Sequence, residues 1–467
     1  MKTMLEIEDK WDVDNDFVLP ADIAADAADR STVELNSVYY DTAEHDLQSH
    51  GLSLRKREGD DDAGWHIKVP TADGRLELRA GPSDTPPDEL TDLLTGVRLG
   101  KPLIPVATIR TQRDRYRIVD DDGQTLRVEL VDDHVRASSG HQLLAWREIE
   151  VEEGPAAGSL RRKLARRLVK AGAQLSPHPS KLARISPQPR PTSLKGSIAR
   201  ETIARYVRKQ IEEIFAGDLG LRSHQDPIHD TRVATRRLRS TLRVFGKSFE
   251  ADAATHLDTE LKWFAGLLGD VRDHQLQRRR LDATLDEWPP ELILGPVVAH
   301  LDSDLRATEL RARADVSEAM NSERYLALLS TLQQWATDLP MTAPPTRKSL
   351  KSAARKARRK ADRRLVEAIG SHDDALLHRA RKAAKRARYA VELSGEETKQ
   401  AKEGKHYKRI QRVLGDYQDS VVAAETLYRL GISAGTAPGE NGFTFGLLYA
   451  RERQLQKELR DKTRRLV

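Results

Sequence analysis

The chain contains no cysteine among its 467 residues. That excludes disulfides, thiol nucleophiles, Cys-ligated zinc and iron–sulfur clusters, and it fits a reducing, cytoplasmic compartment. Aromatic residues are scarce at 5%, too few to build rows of base-stacking platforms. No apolar run approaches the roughly 18 residues a membrane helix needs. The N-terminus carries Glu6, Glu8 and Asp9 before any apolar stretch, so neither a membrane span nor a secretory leader is expected. The phosphate-loop pattern GxxxxGK[ST] is also missing, which argues against a P-loop ATPase.

What is present is charge. Charged residues make up 32% and hydrophobic residues 38%, enough for a core beneath a heavily ionic surface. The length suggests two or three domains. The net charge of +6 conceals an asymmetry. Residues 1–190 hold 27 Lys+Arg and 34 Asp+Glu, a net of −7, and residues 191–467 hold 51 and 38, a net of +13. A basic half implies a polyanionic partner such as nucleic acid, polyphosphate or anionic lipid.

The first 150 residues read as β structure. Alternating segments at 4–10, 37–41, 52–57, 65–69, 75–79, 106–119, 126–131 and 144–151 are separated by turn residues such as Asp73-Gly74 and Asp122-Gly123. About eight antiparallel strands suit a closed barrel. A helix is expected at 159–171. Five prolines between 172 and 196 mark most of that stretch as an extended linker. Long helices with 3.6 periodicity follow, punctuated at Pro289-Pro290 and Pro344-Pro345.

In a strand, residues two apart share a face. Glu6, Glu8 and Lys10 align, as do Arg55 and Arg57, then Arg75, Glu77 and Arg79, then Arg113, Arg115 and Arg117, then Glu148, Glu150 and Glu152. One such strand is ordinarily the solvent face of a sheet. Five, with both signs of charge, suggest instead a barrel with a polar lumen. Clustered carboxylates there need a divalent cation to offset their repulsion, and carboxylate-held Mg²⁺ or Mn²⁺ bridging phosphate oxygens is phosphoryl-hydrolysis chemistry.

These residues carry a resemblance. Glu6-Ile7-Glu8-Asp9-Lys10 resembles the E-x-E-x-K signature of CYTH domains, the triphosphate tunnel metalloenzymes. Tyr39-Tyr40-Asp41-Thr42, Leu54-Arg55-Lys56-Arg57, Trp65-His66-Ile67-Lys68, Arg113, Glu129, Glu148-Ile149-Glu150 and Ser180-Lys181 follow in the family's order. The resemblance implies an antiparallel eight-stranded tunnel over residues 1–185 and metal-dependent hydrolysis of a triphosphate. It implies that Glu6, Glu8, Glu148 and Glu150, with Glu129, hold Mg²⁺ or Mn²⁺. Lys10, Arg55, Arg57, Lys68, Arg113 and Lys181 would grip phosphates, with Lys10 among the catalytic residues. Thr111 stands where the family often has a base, two residues before Arg113.

The second half contains a repeat. His229, Arg232, Arg236, Arg237 and Arg239 follow the pattern H-x-x-R-x-x-x-R-R-x-R, and His378, Arg381, Lys385, Arg386 and Arg388 repeat it 149 residues later. Each copy has a downstream block: Lys262 six residues before Leu268-Gly269-Asp270, and Lys408 six before Leu414-Gly415-Asp416. At 100° per residue, His229, Arg232, Arg236, Arg239 and Arg243 fall within an arc of about 80°. Such a row repels itself unless an anion compensates, and spaced guanidinium forks match the phosphates of a linear chain. A solvated helix face is the plainer reading of either copy alone. A zinc site is excluded because neither histidine has a second histidine four residues on.

The repeat resembles the CHAD domain, which implies an all-α fold of two similar four-helix halves that binds inorganic polyphosphate. It covers residues 196–467, after a Pro-rich linker at 186–195. His229, Arg232, Arg236, Arg239, His378, Arg381, Lys385 and Arg388 would be contacts, with Lys262 and Lys408 secondary. A further run at 347–364 has ten Lys/Arg and one acid, Asp362. The whole reads as an α+β multidomain chain: a tunnel hydrolysing tripolyphosphate and a helical domain binding polyphosphate, cytoplasmic and associated with polyphosphate granules. A non-catalytic polyphosphate binder, a thiamine triphosphatase and an adenylate cyclase are the alternatives. Nucleic acid is the disfavoured partner, and no membrane is expected.

Overall fold

The computed structural model describes residues 2–71, 74–120, 123–186, 197–342, 345–371, 373–394, 399–436 and 439–466. The linker expected at 186–195 falls outside them from residue 187 onward, as do Asp73, Asp122 and Pro344 of the expected turns. Contacts divide the chain into two units, Met1–Arg190 and Pro191–Val467.

The first unit is one antiparallel sheet. Its strands are β1 (Lys2–Glu6), β2 (Glu8–Val13), β3 (Asp29–Asp41), β4 (Ser53–Glu58), β5 (Gly64–Pro70), β6 (Arg75–Ala80), β7 (Ile104–Val119), β8 (Leu126–Ser139), β9 (Gln142–Glu153) and β10 (Gln174–Leu175). Their order is β1-β6-β5-β4-β3-β7-β8-β9-β2-β10. There are ten segments where eight were expected, for a local reason. The N-terminal strand breaks at Ile7: β1 pairs with β6, and β2 pairs with β9. One interrupted strand thus joins the two edges of the sheet, so eight long strands form the tunnel and β10 adds a two-residue pairing on β2.

The alternation of the strands separates two environments. The outward residues Val128, Leu130, Ile149 and Val151 pack with Leu164 and Leu168. These belong to α5 (Leu160–Lys170), which follows the short helices α1 (Ala21–Ala25), α2 (Asp46–Ser49), α3 (Asp88–Leu93) and α4 (Thr95–Arg98). The inward set is apolar at one end, where Tyr39, Ala107, Ile109, Val135, Ala137 and Trp146 enclose Leu182 and Ile185. The latter two belong to α6 (Lys181–Ile185). Part of the expected extended linker is therefore structured: β10 and α6 both lie within 172–186. Burying two branched side chains there stabilises the plug by roughly 1.5–3 kcal/mol each.

The second unit is helical: α7 (Ile198–Arg222), α8 (Ile228–Val244), α9 (Ala251–Asp286), α10 (Val297–Met320), α11 (Glu323–Thr337), α12 (Arg347–Ile369), α13 (Asp374–Ser394), α14 (Lys399–Thr436) and α15 (Phe443–Arg464). Side-chain caps start several of them, including Ser197, Ser322 and the reciprocal Thr346–Ser349 pair. The repeated motifs lie on α8 and α13, and their downstream blocks on α9 and α14. The halves are similar but unequal. Among the described residues the first has five helices, because α11, which buries Tyr325, Leu328, Leu329, Leu332 and Trp335, has no counterpart in the second. Alanines 380, 383, 384, 387 and 390 on α13 are buried, and such small residues let neighbouring helices approach closely. A shared cluster of Leu281, Leu285 and Leu301 with Leu427, Leu430 and Phe445 joins the halves.

Candidate functional site

The barrel encloses a cavity of about 400 Å³. Strand alternation directs Glu6, Lys10, Arg55, Arg57, Lys68 and Arg113 into its wall. Register, rather than spacing, decides who meets whom. In the β2–β9 pair, Glu8 lies opposite Glu152 and Lys10 opposite Glu150. The result is two acidic groups, Glu6–Glu8–Glu152 and Asp133–Glu148–Glu150, each with ligand-capable atoms within 4.8 Å of one another.

The two groups are compensated differently. The second surrounds an ammonium: Lys181 Nζ lies 2.8 Å from Asp133, 2.7 Å from Glu148 and 2.8 Å from Glu150. Arg113 donates to Asp133 at 2.8 and 2.6 Å and to Glu150 at 2.9 Å, and Lys10 also donates to Glu150. Burial opposes these charges, but the contacts prevail. Glu150 is held well below the usual carboxylate range by Lys10, Lys181 and Arg113, and Lys181 is held well above the usual lysine range by Asp133, Glu148 and Glu150. Lys181 reaches this position because Ser180 caps α6, accepting from Ala183 N at 3.1 Å.

The first group is under-compensated. Lys68 donates to Glu6 at 2.7 and 2.5 Å. Neither oxygen of Glu8 accepts a hydrogen bond although both are buried; Lys10 Nζ is 3.1 Å from one of them, an ion pair without hydrogen-bond geometry. Glu152 has no ion-pair partner among the described residues. Burial first, then the charge of Glu6, pushes its carboxyl up to about 8. Three clustered carboxylates, one of them (Glu8) with both oxygens orphaned, are a donor set of the kind hard divalent cations take.

Glu6, Glu8, Lys10, Arg55, Arg57, Lys68, Arg113, Glu148, Glu150 and Lys181 thus share one lumen. Glu129 also faces it, but pairs with Arg115 at 3.1 Å and Arg117 at 3.6 Å and joins neither acidic group. Sequence reasoning missed Asp133 and Glu152 as members of the acidic groups. Glu152 was visible as the third residue of the E-x-E-x-E alternation; Asp133 carried no motif. Glu77 was noted only for its strand face, and it anchors the wall: it accepts from His66 Nδ1 at 3.0 Å and pairs with Arg55 at 3.4 Å. Thr111 is buried and lies opposite Val135 of the apolar end.

In the helical unit, α8 packs on α13, so the two basic stripes face one another. Lys385 shows the consequence. Burial, then the charges of Arg381, Arg236 and Arg232, pulls its ammonium down to about 6. The side-chain nitrogens Arg236 Nε, Arg381 Nε and His378 Nδ1 are buried without hydrogen-bond partners. Arg232 pairs with Asp273 at 2.8 Å. Arg239 and Arg243 share Asp258 at 3.1 and 2.6 Å. Arg388 donates to Gln411 at 3.0 Å. His229 sits close enough to Arg272, Arg236 and Arg232 that burial and their charges lower its pKa. Burial, then the charges of Arg386, Arg239, Arg243 and Lys262 of α9, lowers the Lys382 ammonium, whereas Lys408 on α14 forms no ion pair among the described residues. Arg386 of the repeated motif and Lys382, not singled out from the sequence, join the basic face.

The repeated LGD block has a steric explanation. A Cβ on Gly269 would lie 3.3 Å from Arg232 Nη2, and one on Gly415 would lie 3.2 Å from Arg381 Nη2. In both copies glycine lets a stripe guanidinium lie flat against the next helix.

Comparison with known proteins agrees with this division. The CYTH domain model matches residues 4–184 and the CHAD domain model residues 205–428. The barrel is a CYTH tunnel and the helical unit a CHAD domain; the chain belongs to the family that joins the two. An uncharacterized protein of Mycobacterium tuberculosis, found in strains CDC 1551 and H37Rv, is 35% identical over 492 aligned positions, covering 98% of this chain and 94% of that one. Among solved structures, PptA from Streptomyces chartreusis has a TM-score of 0.49 at 22% identity, covering 57% of this chain and 98% of that one. The CHAD domain of the plant Ricinus communis has a TM-score of 0.47 at 23% identity, covering 58% and 92%. CYTH-domain proteins act on triphosphates and depend on metal, and CHAD domains are linked to polyphosphate binding. Among the described residues, no helix is long and apolar enough to cross a membrane.

Proposed function

We propose that the tunnel hydrolyses inorganic triphosphate with Mg²⁺ or Mn²⁺, and that the helical unit binds longer inorganic polyphosphate and so recruits the enzyme to it. The observation that carries the first part is the largely enclosed Glu6–Glu8–Glu152 group, with Glu8 oxygens that no donor satisfies, beside a wall of inward cations. Glu6, Glu8 and Glu152 would hold the cation. When bound, it supplies Lewis-acid polarisation of a phosphoryl oxygen.

The chain's own residues do the rest. Lys10, Lys68, Arg55, Arg57, Arg113 and Lys181 bind and orient the phosphates, with charge already in place where it develops in the transition state. Glu148, Glu150 and Asp133 keep Lys10, Arg113 and Lys181 extended into the lumen before substrate arrives. Phosphate oxygens then take over those donors. The apolar plug of Leu182 and Ile185 excludes water from one end. Glu129, paired with Arg115 and Arg117, would orient guanidiniums rather than hold metal.

In the helical unit, His229, Arg232, Arg236, Arg239, His378, Arg381, Lys385 and Arg388 would contact polyphosphate, with Lys262 and Lys408 at its margins. The buried unpaired Arg236 and Arg381 nitrogens support this reading. Among the described residues the stripes present no exposed aromatic, since Tyr389 is buried beneath Arg237 and Arg388, and this favours a phosphate chain over nucleic acid. We place the protein in the cytoplasm, at polyphosphate granules.

The test is phosphate release from tripolyphosphate, long polyphosphate, ATP and thiamine triphosphate with Mg²⁺ or Mn²⁺. Tripolyphosphate is expected to be hydrolysed fastest, and Glu6→Gln to abolish release. No release from any substrate, with polyphosphate still bound, would make this a binding protein without catalysis.

A further inference from the structure

The β4–β5 connection carries three consecutive aspartates, Asp60, Asp61 and Asp62, and all three line the tunnel cavity. Asp60 accepts from Arg115 at 2.5 Å. Asp62 accepts from Arg57 at 2.9 Å and lies 3.5 Å from Arg79. Arg57, Arg79 and Arg115 come from three different strands and point into one lumen. A phosphate chain lying in the cavity would need the same guanidinium faces.

The backbone holds this loop in place. Gly59 and Gly64 bracket it at φ +103° and +138°, and a Cβ would meet Glu34 O at 1.9 Å and Ala80 O at 2.3 Å. His66 Nε2 lies 2.7 Å from Asp62 O, and Ala63 N donates to Asp60 O at 3.0 Å.

We propose that Asp60 and Asp62 are a built-in phosphate mimic: they occupy the arginines that would receive the outer phosphates of the substrate, and so weaken and filter what the tunnel accepts. The proposal rests on the reading of the tunnel as a triphosphate site. An isolated orthophosphate has too few contacts to displace both carboxylates. A triphosphate offers several adjacent anionic groups and can replace Asp60 and Asp62 together. The pair therefore favours linear triphosphates over shorter anions, and it keeps Arg57 and Arg115 ordered in the free protein.

The experiment is titration of the full-length chain with tripolyphosphate and with orthophosphate by calorimetry, comparing wild type with the double variant Asp60→Asn, Asp62→Asn. The variant is expected to bind tripolyphosphate on the order of tenfold more tightly and to gain more for orthophosphate, so that selectivity falls. Both gains should vanish when Arg57→Ala and Arg115→Ala are added, which confines the effect to the tunnel. An unfolded variant would be recognised by its melting curve, and Asp60→Ser, Asp62→Ser then provides the same comparison. Equal tripolyphosphate affinity in wild type and folded variant overturns the mimic alone. If tripolyphosphate binds neither protein, the triphosphate reading of the tunnel falls and the mimic with it.

Discussion

Both units concentrate cations in partly buried positions, and they differ in what stands opposite them. In the barrel, Lys10, Lys68, Arg113 and Lys181 each touch a carboxylate, and burial strengthens those pairs. In the helical unit, Lys385 faces Arg381, Arg236 and Arg232, and its ammonium is driven down to about 6. The first arrangement pairs its cations without ligand and leaves one three-carboxylate group with Glu8 unbonded and Glu152 unpaired. The second is short of negative charge. A site missing a small cation suits metal-assisted chemistry; a site missing a polyanion suits binding.

The comparison can be broken most forcefully at the metal group. Glu8→Gln should lower tripolyphosphate hydrolysis by roughly 10³-fold while polyphosphate binding by the full chain is kept; filter binding beside phosphate release checks both. The reciprocal change comes next. Arg236→Glu with Lys385→Glu should weaken polyphosphate binding by roughly 100-fold and flatten its salt dependence, leaving tripolyphosphate turnover near wild type. Loss of both functions from either variant would show that the units do not act separately.

A pH titration sharpens the contrast further. Free Lys385 is mostly neutral above about 6, and a bound polyanion favours its charged form. Binding therefore takes up a proton, and affinity should fall by up to about tenfold per unit as pH rises above 6, until the pKa of the bound state is passed. Calorimetry in buffers of different ionisation heat measures the uptake directly, and a heat independent of buffer would contradict it. The sign for stability is opposite. The unfolded lysine holds its proton to near its ordinary value, so this group makes the fold more stable as pH rises above 6.

The smallest expected effect is at the repeated glycines. Gly415→Ala should shift Arg381 by a few tenths of an ångström, since the Cβ would lie 3.2 Å from its guanidinium. Polyphosphate affinity should drop by roughly threefold, while the better helix propensity of alanine offsets the steric cost to within about 1 kcal/mol. Thermal melts and the same binding assay separate the two.

Much of this was legible in the chain. The two-residue alternation of Glu6-Glu8-Lys10 and Arg113-Arg115-Arg117 identified lumen faces because a pleated strand leaves no other option for sharing a side. The paired H-x-x-R stripes located α8 and α13 because helical spacing is equally rigid. The short α6 was not legible: it is five residues long among prolines, and only its packing of Leu182 and Ile185 into the barrel end stabilises it. Helix α11 was also missed, since it belongs to no repeat.

By itself the sequence determined which residue types share a face, where the helical repeat begins and how charge divides between the halves, because backbone periodicity is a local property. Tertiary structure alone decided the partners. Strand register placed Glu152, rather than Glu148, with Glu6 and Glu8; capping and burial of α6 brought Lys181 among Asp133, Glu148 and Glu150; helix packing turned two separate stripes toward one another. Those are contacts between residues distant along the chain, and their energies depend on burial and on neighbouring charge, neither of which local spacing encodes.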